Sequence, residues 1–146
     1  MVEQPAIVIG ADHGGFELKG LVKEWLEGAG YSVVDVGCHA SDSVDYPDYA
    51  EKAVAEIAGH RCQNGILICG TGIGMSIAAN RHRIIRAANC HNTYTAQMSR
   101  EHNNANILCL GARVIDGKTA LEVVKVWLST EFSGGRHQRR IEKFSD

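Results

Sequence analysis

A cysteine at the start of a glycine-rich turn is the feature of this sequence with the clearest capacity for chemistry. Cys69 ends an apolar run and opens the segment Cys69-Gly-Thr-Gly-Ile-Gly74. Glycines allow several backbone N–H groups to face one point, and a helix that begins after them adds the positive end of its dipole. Such a loop holds an anion, either phosphate or a developing oxyanion, although a tight turn that only lets the helix pack fits the spacing equally well. A helix N-terminus favours thiolate, so Cys69 is a candidate base or nucleophile.

Met75 excludes two named loops at this position. A dinucleotide-binding G-x-G-x-x-G beginning at Gly70 needs glycine at position 75, and a Cys-x5-Arg phosphatase loop beginning at Cys69 needs arginine there. No lysine follows Gly74 or Gly15, so a Walker A loop is absent as well. The sequence has no C-x2-C pair, and no metal site is expected. The remaining cysteines are predicted to be inert, buried thiols: Cys38, Cys62, Cys90 and Cys109.

Polar residues with acid–base or anion-binding chemistry follow other apolar runs. Asp12 and His13 lie in a glycine-flanked turn, where they suit sugar hydroxyls, phosphate or proton transfer, although Asp12 could instead cap the next helix. His102 lies at a predicted helix end, where an interaction with the helix dipole is the alternative. Arg136 and Arg140 are one helical turn apart and suit a phosphate dianion, although a solvated charged face explains such a run too.

Alternating strands and helices position these residues. Short apolar runs predict strands at 6–10, 32–37, 65–70, 86–90 and 105–111, and helical periodicity predicts helices at 16–29, 49–58, 75–82, 93–102 and 118–129. This alternation predicts a three-layer α/β/α sandwich with a five-stranded, parallel, Rossmann-like sheet. Ligands bind beyond the carboxyl ends of such strands. We expect the segments 10–15, 69–74, 89–94 and 111–113 to gather there, joined by His102 and Asn103.

The bulk composition limits the function classes. The 146 residues predict one domain over 1–146, and their net charge of −2 favours neither nucleic acid nor an anionic membrane surface. The N-terminal segment resembles neither a signal peptide nor a membrane span. Five cysteines, an odd number in apolar contexts, argue against a disulfide scaffold and indicate a reducing cytoplasm.

Several motifs occurring in order resemble one enzyme family. They are GADHGGFELK (10–19), DYPDYA (45–50), GILICGTGIGMSIAAN (65–80), SREHNNAN (99–106) and GGRHQRR (134–140). Together they resemble the B-type ribose-5-phosphate isomerases and the related galactose- and allose-6-phosphate isomerases over essentially the whole chain. The resemblance implies a cofactor-free, metal-free isomerase of the pentose phosphate pathway. It also implies a homodimer or homotetramer with shared active sites, in which the C-terminal helix reaches a partner subunit.

The resemblance also implies a role for each candidate residue. Cys69 is the base that moves a proton between C2 and C1, and His102 is the acid that opens the sugar ring. The chemistry of such a reaction makes Thr71 a candidate shuttle between the O1 and O2 oxygens. The substrate-binding residues that it implies are Asp12, His13, Gly70, Thr71, Gly72, Ile73, Gly74, Asn103, Arg113, Arg136 and Arg140. The implied reaction interconverts ribose 5-phosphate and ribulose 5-phosphate. An allose- or galactose-6-phosphate isomerase is the alternative within the family, and a non-catalytic sugar-phosphate-binding module is the alternative of another class.

Overall fold

The apolar runs form one parallel sheet in the computed structural model, which describes residues 6–146. The strands are β1 Ile7–Ala11, β2 Val33–Gly37, β3 Asn64–Cys69, β4 Ala87–Asn89 and β5 Ile107–Gly111. Their order in the sheet is β2-β1-β3-β5-β4, and every neighbouring pair is parallel. The predicted five-stranded parallel sheet is confirmed.

Helices cover both faces of the sheet. They are α1 Phe16–Gly28, α2 Tyr46–Ala58, α3 Ile73–Ala79, α4 Thr93–Glu101, α5 Gly117–Ser129 and α6 Arg136–Ile141. One hydrophobic core packs α1, α4 and α5 against one face, and it includes the fully buried Trp127. The second core packs α2 and α3 against the other face and includes Met75. Strands β1 and β5, which flank the central strand β3, are buried at every position, because helices cover them on both sides.

The direction in which successive strands are added to the sheet reverses between β1 and β3. β1 connects through α1 to β2 on one side, whereas β3 connects through α3 to β4 on the other side, beyond β5. The connections that leave the carboxyl ends of β1 and β3 therefore diverge. This divergence opens the crevice in which open α/β sheets bind ligands.

Three details differ from the sequence-based expectations. Helix α2 begins at Tyr46 rather than at 49, because Pro47 fits the first helical turn, where no backbone N–H is needed. Helix α3 covers Ile73–Ala79 rather than 75–82, so it starts directly behind the glycine turn. Leu21, predicted to lie on the buried face of α1, is 39% exposed and lies beside Gly117 at the start of α5.

The C-terminal segment folds back onto its own chain at the amino edge of the sheet. The Ser133 N–H donates to the Glu101 carbonyl at 3.0 Å, and Ile141 of α6 is buried. Arg83 Nε donates to the Asp146 carboxylate at 2.7 Å. The segment that leads to α6 is therefore anchored at the C-terminal end of α4, and α6 packs against the rest of the chain through Ile141.

Candidate active site

The glycine turn after β3 closes around the thiol of Cys69. The Gly72 N–H donates to Cys69 Sγ at 3.2 Å, and the Cys69 side chain is buried. Gly72 has a φ of 81°, a left-handed conformation that other residues adopt only with strain. Thr71 Oγ1 accepts a hydrogen bond from the Ile73 N–H at 3.2 Å, so its own proton is left for donation elsewhere. The turn therefore holds a thiol and a hydroxyl close to the backbone N–H groups of Gly72 and Ile73.

The end of β1 faces this turn with a carboxylate and an imidazole. Asp12 Oδ1 accepts a hydrogen bond from the Gly15 N–H at 3.1 Å, and the side chain is almost fully buried. His13 Nδ1 accepts a hydrogen bond from the Val44 N–H at 3.1 Å. In the neutral ring this bond places the proton on Nε2, which makes that edge of His13 a hydrogen-bond donor.

Arg113 covers the glycines that lie between these two segments. A Cβ at position 70 would lie 3.2 Å from Arg113 Nη1, and a Cβ at position 14 would lie 3.7 Å from Nη2. The guanidinium can approach this closely because position 70 is glycine, whereas the distance at position 14 is an ordinary van der Waals contact. Within residues 6–146, no carboxylate pairs with Arg113. It is a cation available to an anionic ligand.

The other thiols differ from Cys69 in their surroundings. Burial raises the pKa of Cys62 and of Cys90, and it raises the pKa of the fully buried Cys109 well above the ordinary value. Cys38 is buried and its Sγ donates to the Ala40 carbonyl. The raised pKa values disfavour the thiolate in Cys62, Cys90 and Cys109, and the Cys38 thiol is engaged in a hydrogen bond. Both situations agree with the sequence-based prediction of inert cysteines.

A second polar cluster lies at the opposite, amino edge of the sheet. The rings of His102 and His137 stack with centroids 4.2 Å apart and 15° between their planes. Arg136 and Arg140 lie on the same short helix as His137. Desolvation, together with the electrostatic influence of the neighbouring His102, Arg136 and Arg140, lowers the pKa of His137. The two arginines of α6 make the cluster positively charged and suit it to a phosphate group.

The structure does not bring His102 and Asn103 to the glycine turn of the same chain. Helix α4 leaves the carboxyl end of β4 and runs back to the amino end of β5, so its last turn lies at the amino edge. A strand of five residues spans about 17 Å. The expectation that His102 and Asn103 join the turn is thus wrong within one chain, because the crossover helix carries them to the other edge. Arg136 and Arg140 lie at that amino edge too.

Two residues beside the turn, Tyr46 and Asn89, were not singled out by the sequence analysis, although segment 89–94 was expected at this edge. A Cβ at Gly74 would meet the ring of Tyr46, so this tyrosine lies over the start of α3. Asn89, the last residue of β4, donates its side-chain amide to the Thr71 carbonyl at 3.3 Å. A polar residue that ends an apolar strand was the available signal for Asn89.

Two further features bear on function. In the part of the chain that the structure describes, no three His, Cys, Asp or Glu side chains converge as metal ligands. None of its helices has the length and apolarity needed to cross a bilayer.

Comparison with known proteins identifies the family. The sequence model of the ribose/galactose isomerase family matches residues 7–144. The chain is 46% identical over 136 residues to ribose-5-phosphate isomerase B of Escherichia coli K12, covering 93% of this chain and 91% of that protein. It is 43% identical over 139 residues to a D-erythrulose-4-phosphate isomerase of Pectobacterium atrosepticum, covering 94% and 91% respectively. A ribose 5-phosphate isomerase structure from Thermotoga maritima superposes with a TM-score of 0.95 at 52% identity, covering 97% of this chain and 98% of that one. The chain therefore belongs to the ribose/galactose isomerase family and is a sugar-phosphate isomerase.

Proposed function

We propose that this isomerase interconverts ribose 5-phosphate and ribulose 5-phosphate through an enediolate. The observation that carries the proposal is the buried Cys69 thiol, which accepts the Gly72 N–H within the glycine turn that opens α3. Aldose–ketose isomerisation needs a base next to a site that stabilises an oxyanion, and this turn supplies both. Two of the similar proteins are named for ribose 5-phosphate, which supports this pentose as the substrate.

The first step in the proposed reaction opens the sugar ring. Opening the furanose breaks the C1–O4 bond, which requires a proton on O4 and the loss of a proton from O1. Near neutral pH, an imidazole can donate the proton to O4 or accept the proton from O1. We assign this step to His102, whose ring is held by its stack on His137.

The second step moves a proton between two carbons. The Cys69 thiolate removes the C2 proton of the open aldehyde and returns it to C1. The negative charge that develops on oxygen is stabilised by the amides of the loop Gly70, Thr71, Gly72, Ile73 and Gly74. The Thr71 hydroxyl, which accepts from the Ile73 N–H, has its proton free to pass between O1 and O2. Asp12 and the donor edge of His13 bind sugar hydroxyls.

Binding of the phosphate fixes the reacting carbons. We assign phosphate binding to Arg113, Arg136 and Arg140. The attraction between these guanidinium groups and the phosphate supplies binding energy remote from the reacting carbons. In one chain Arg113 lies at the carboxyl edge of the sheet, whereas the other two belong to α6 at the amino edge.

We further propose that the complete site forms between two copies of the chain, in a homodimer or in a homotetramer built from such pairs. One copy supplies Cys69 and its loop, and the other supplies His102, Asn103 and the arginines of α6. A two-fold axis that relates the copies creates two equal sites. The opposite placement of the two polar clusters supports this arrangement.

The proposed reaction is tested by following ribulose 5-phosphate formation from ribose 5-phosphate. We expect Cys69→Ala to lower kcat by about 10³-fold, because it removes the base. Cys90→Ala is the matched control, since that thiol is also buried, burial raises its pKa, and it lies outside the turn, so the variant should keep nearly full activity.

Two results would contradict the proposal. Full activity of Cys69→Ala would remove the thiol from the mechanism. Absence of turnover by the wild-type protein would exclude the pentose, and D-erythrulose 4-phosphate would be the next substrate to test because of the Pectobacterium atrosepticum relative.

A further inference from the structure

The peptide unit between Thr71 and Gly72 is held by hydrogen bonds at both of its polar groups. Its N–H donates to Cys69 Sγ at 3.2 Å. Its carbonyl oxygen accepts from the side-chain amide of Asn89 at 3.3 Å. Within residues 6–146, no other protein group donates to this carbonyl. The orientation of one peptide plane thus links Asn89 to the thiol.

We propose that Asn89 is a positioning residue that keeps the Thr71–Gly72 peptide turned with its N–H towards Cys69. The inference rests on the proposed function for the role of the thiol as base. Asn89 touches neither the thiol nor the sugar carbons in this scheme, and it acts through the backbone of the turn.

The flexibility of glycine explains why such a restraint is needed. Gly72 has a φ of 81°, and glycine populates positive and negative φ about equally. If the peptide plane turned over, the Thr71 carbonyl oxygen would face the sulfur instead of the N–H. A carbonyl dipole would then oppose both a thiolate and an enediolate, which the N–H favours.

The side chain of Asn89 also fixes the position of Gly72 sterically. A Cβ at Gly72 would collide with Asn89 Oδ1, so the two residues are in close contact. Oδ1 is buried and, among residues 6–146, has no hydrogen-bond partner. Rotating the amide by 180° would place this oxygen against the Thr71 carbonyl, so the Nδ2 donor is directed at the carbonyl.

The unpaired oxygen indicates that Asn89 is not present for stability. A buried acceptor without a partner destabilises the fold, and an apolar side chain of similar shape would avoid that cost. The neighbouring residues of β4 are Ala87 and Ala88, and an apolar residue would continue this pattern. We therefore expect Asn89→Leu to leave the thermal midpoint nearly unchanged while it releases the peptide.

The test measures thiol reactivity and turnover separately. Alkylation of Cys69 by iodoacetamide at pH 7, followed peptide by peptide with mass spectrometry, should slow about 10-fold in Asn89→Leu and in Asn89→Asp. At pH 10, where thiols are largely ionised, the rates should converge with that of the wild type. With ribose 5-phosphate, kcat should fall about 10-fold while KM stays within about 2-fold, because the phosphate contacts are intact.

Asn80→Leu is the matched control. Asn80 also bonds a backbone through its side chain, since Nδ2 donates to the Ala87 carbonyl and Oδ1 accepts the Ala87 N–H. These bonds join the end of α3 to β4 but do not reach the turn. Asn80→Leu should lower the thermal midpoint without slowing alkylation of Cys69.

Alkylation at wild-type rate in both Asn89 variants would overturn the proposal, and so would an equal slowing in Asn80→Leu. Because alkylation needs no sugar, these results do not depend on the proposed reaction. Slow alkylation in a protein that does not convert ribose 5-phosphate would support the positioning role and reject the proposed substrate.

Discussion

Neighbouring side chains limit which residue type fits at single positions of the turn. At Gly70, the nearest group is the guanidinium of Arg113, with Nη1 3.2 Å from where a Cβ would stand. That distance is tighter than an ordinary van der Waals contact, so any side chain at this position must displace the guanidinium. The glycine is required by the approach of a neighbouring cation.

Gly70→Ala is therefore expected to weaken phosphate binding. The displaced Arg113 should raise the inhibition constant of inorganic phosphate about 10-fold, since an ion pair with a phosphate oxygen is lost or lengthened. Competition by phosphate in the isomerase assay measures this constant.

Gly20→Ala provides the comparison for that measurement. Gly20 lies within α1, and a Cβ there would meet nothing within 4 Å. The substitution should stabilise the protein by about 0.5–1 kcal/mol through helix propensity and leave the phosphate constant unchanged. An unchanged constant in Gly70→Ala as well would show that Arg113 does not bind the phosphate.

At the scale of elements, a buried ion pair joins α1 to β2. Lys19 is 4% exposed, and its Nζ lies 2.8 and 2.7 Å from the two carboxylate oxygens of Asp35. Burial disfavours ionisation of Asp35, but the hydrogen bonds from Lys19 and from the Gly37 N–H and the charges of Lys19 and Lys23 outweigh it. The net result is a pKa below the ordinary 3.8.

The direction of this shift sets the pH range of the stabilisation. A carboxyl group whose pKa is lower in the folded than in the unfolded chain stabilises the fold fully above its unfolded pKa, and the contribution is lost as the pH falls through the folded pKa. Asp35→Asn should thus lower the free energy of unfolding by about 2–3 kcal/mol at pH 7, because it leaves Lys19 buried without a counter-charge. The difference from the wild type should shrink below pH 3.8.

Urea denaturation at pH 7 and at acid pH measures this effect. Glu56→Gln is the control, because the arginine of the Arg61–Glu56 pair is 59% exposed, and this screened surface pair should contribute much less to stability than the Lys19–Asp35 pair. A pH-independent loss in Asp35→Asn would show that packing of the side chain, and not its charge, is what matters.

The elements themselves follow largely from the sequence. The strands are apolar runs because helices cover both faces, and Asn92 and Asp116 mark the starts of α4 and α5 by accepting the N–H groups of Thr95 and Thr119. The sequence analysis began α2 at 49, after Pro47. The helix begins at Tyr46 because a proline fits the first helical turn. The expected gathering of segment 89–94 with the turn holds for Asn89, but its particular contact with Thr71 depends on β4 lying beyond β5, a strand order that local patterns do not encode.

At the scale of the molecule, the sequence led to two different expectations for His102. The family resemblance implied active sites shared between subunits, whereas the positions of the strand ends placed His102 beside Cys69 in the same chain. Strand ends alone correctly predict that Asp12, Cys69 and Arg113 gather, since all three follow strands that end at one edge. His102 precedes a strand and so belongs to the other edge. The two clusters lie at opposite edges of one chain's sheet, and this separation is the basis of the last prediction.

Mixed dimers test whether two copies complete each other. Cys69→Ala and His102→Asn should each be inactive alone, because every site then lacks one group. If the site is shared, a mixed dimer has one site with both changes and one site with neither. Random exchange of equal amounts should therefore restore about a quarter of wild-type activity.

The pair Cys69→Ala with Thr71→Ala is the matched control for this experiment. Both residues belong to the same turn, so every site in that mixed dimer keeps one defect and activity should not return. No recovery with Cys69→Ala and His102→Asn, after mass spectrometry has verified subunit exchange, would mean that His102 does not act in the partner's site. Because His102 lies at the far edge of its own sheet, that result would also remove it from the ring-opening step.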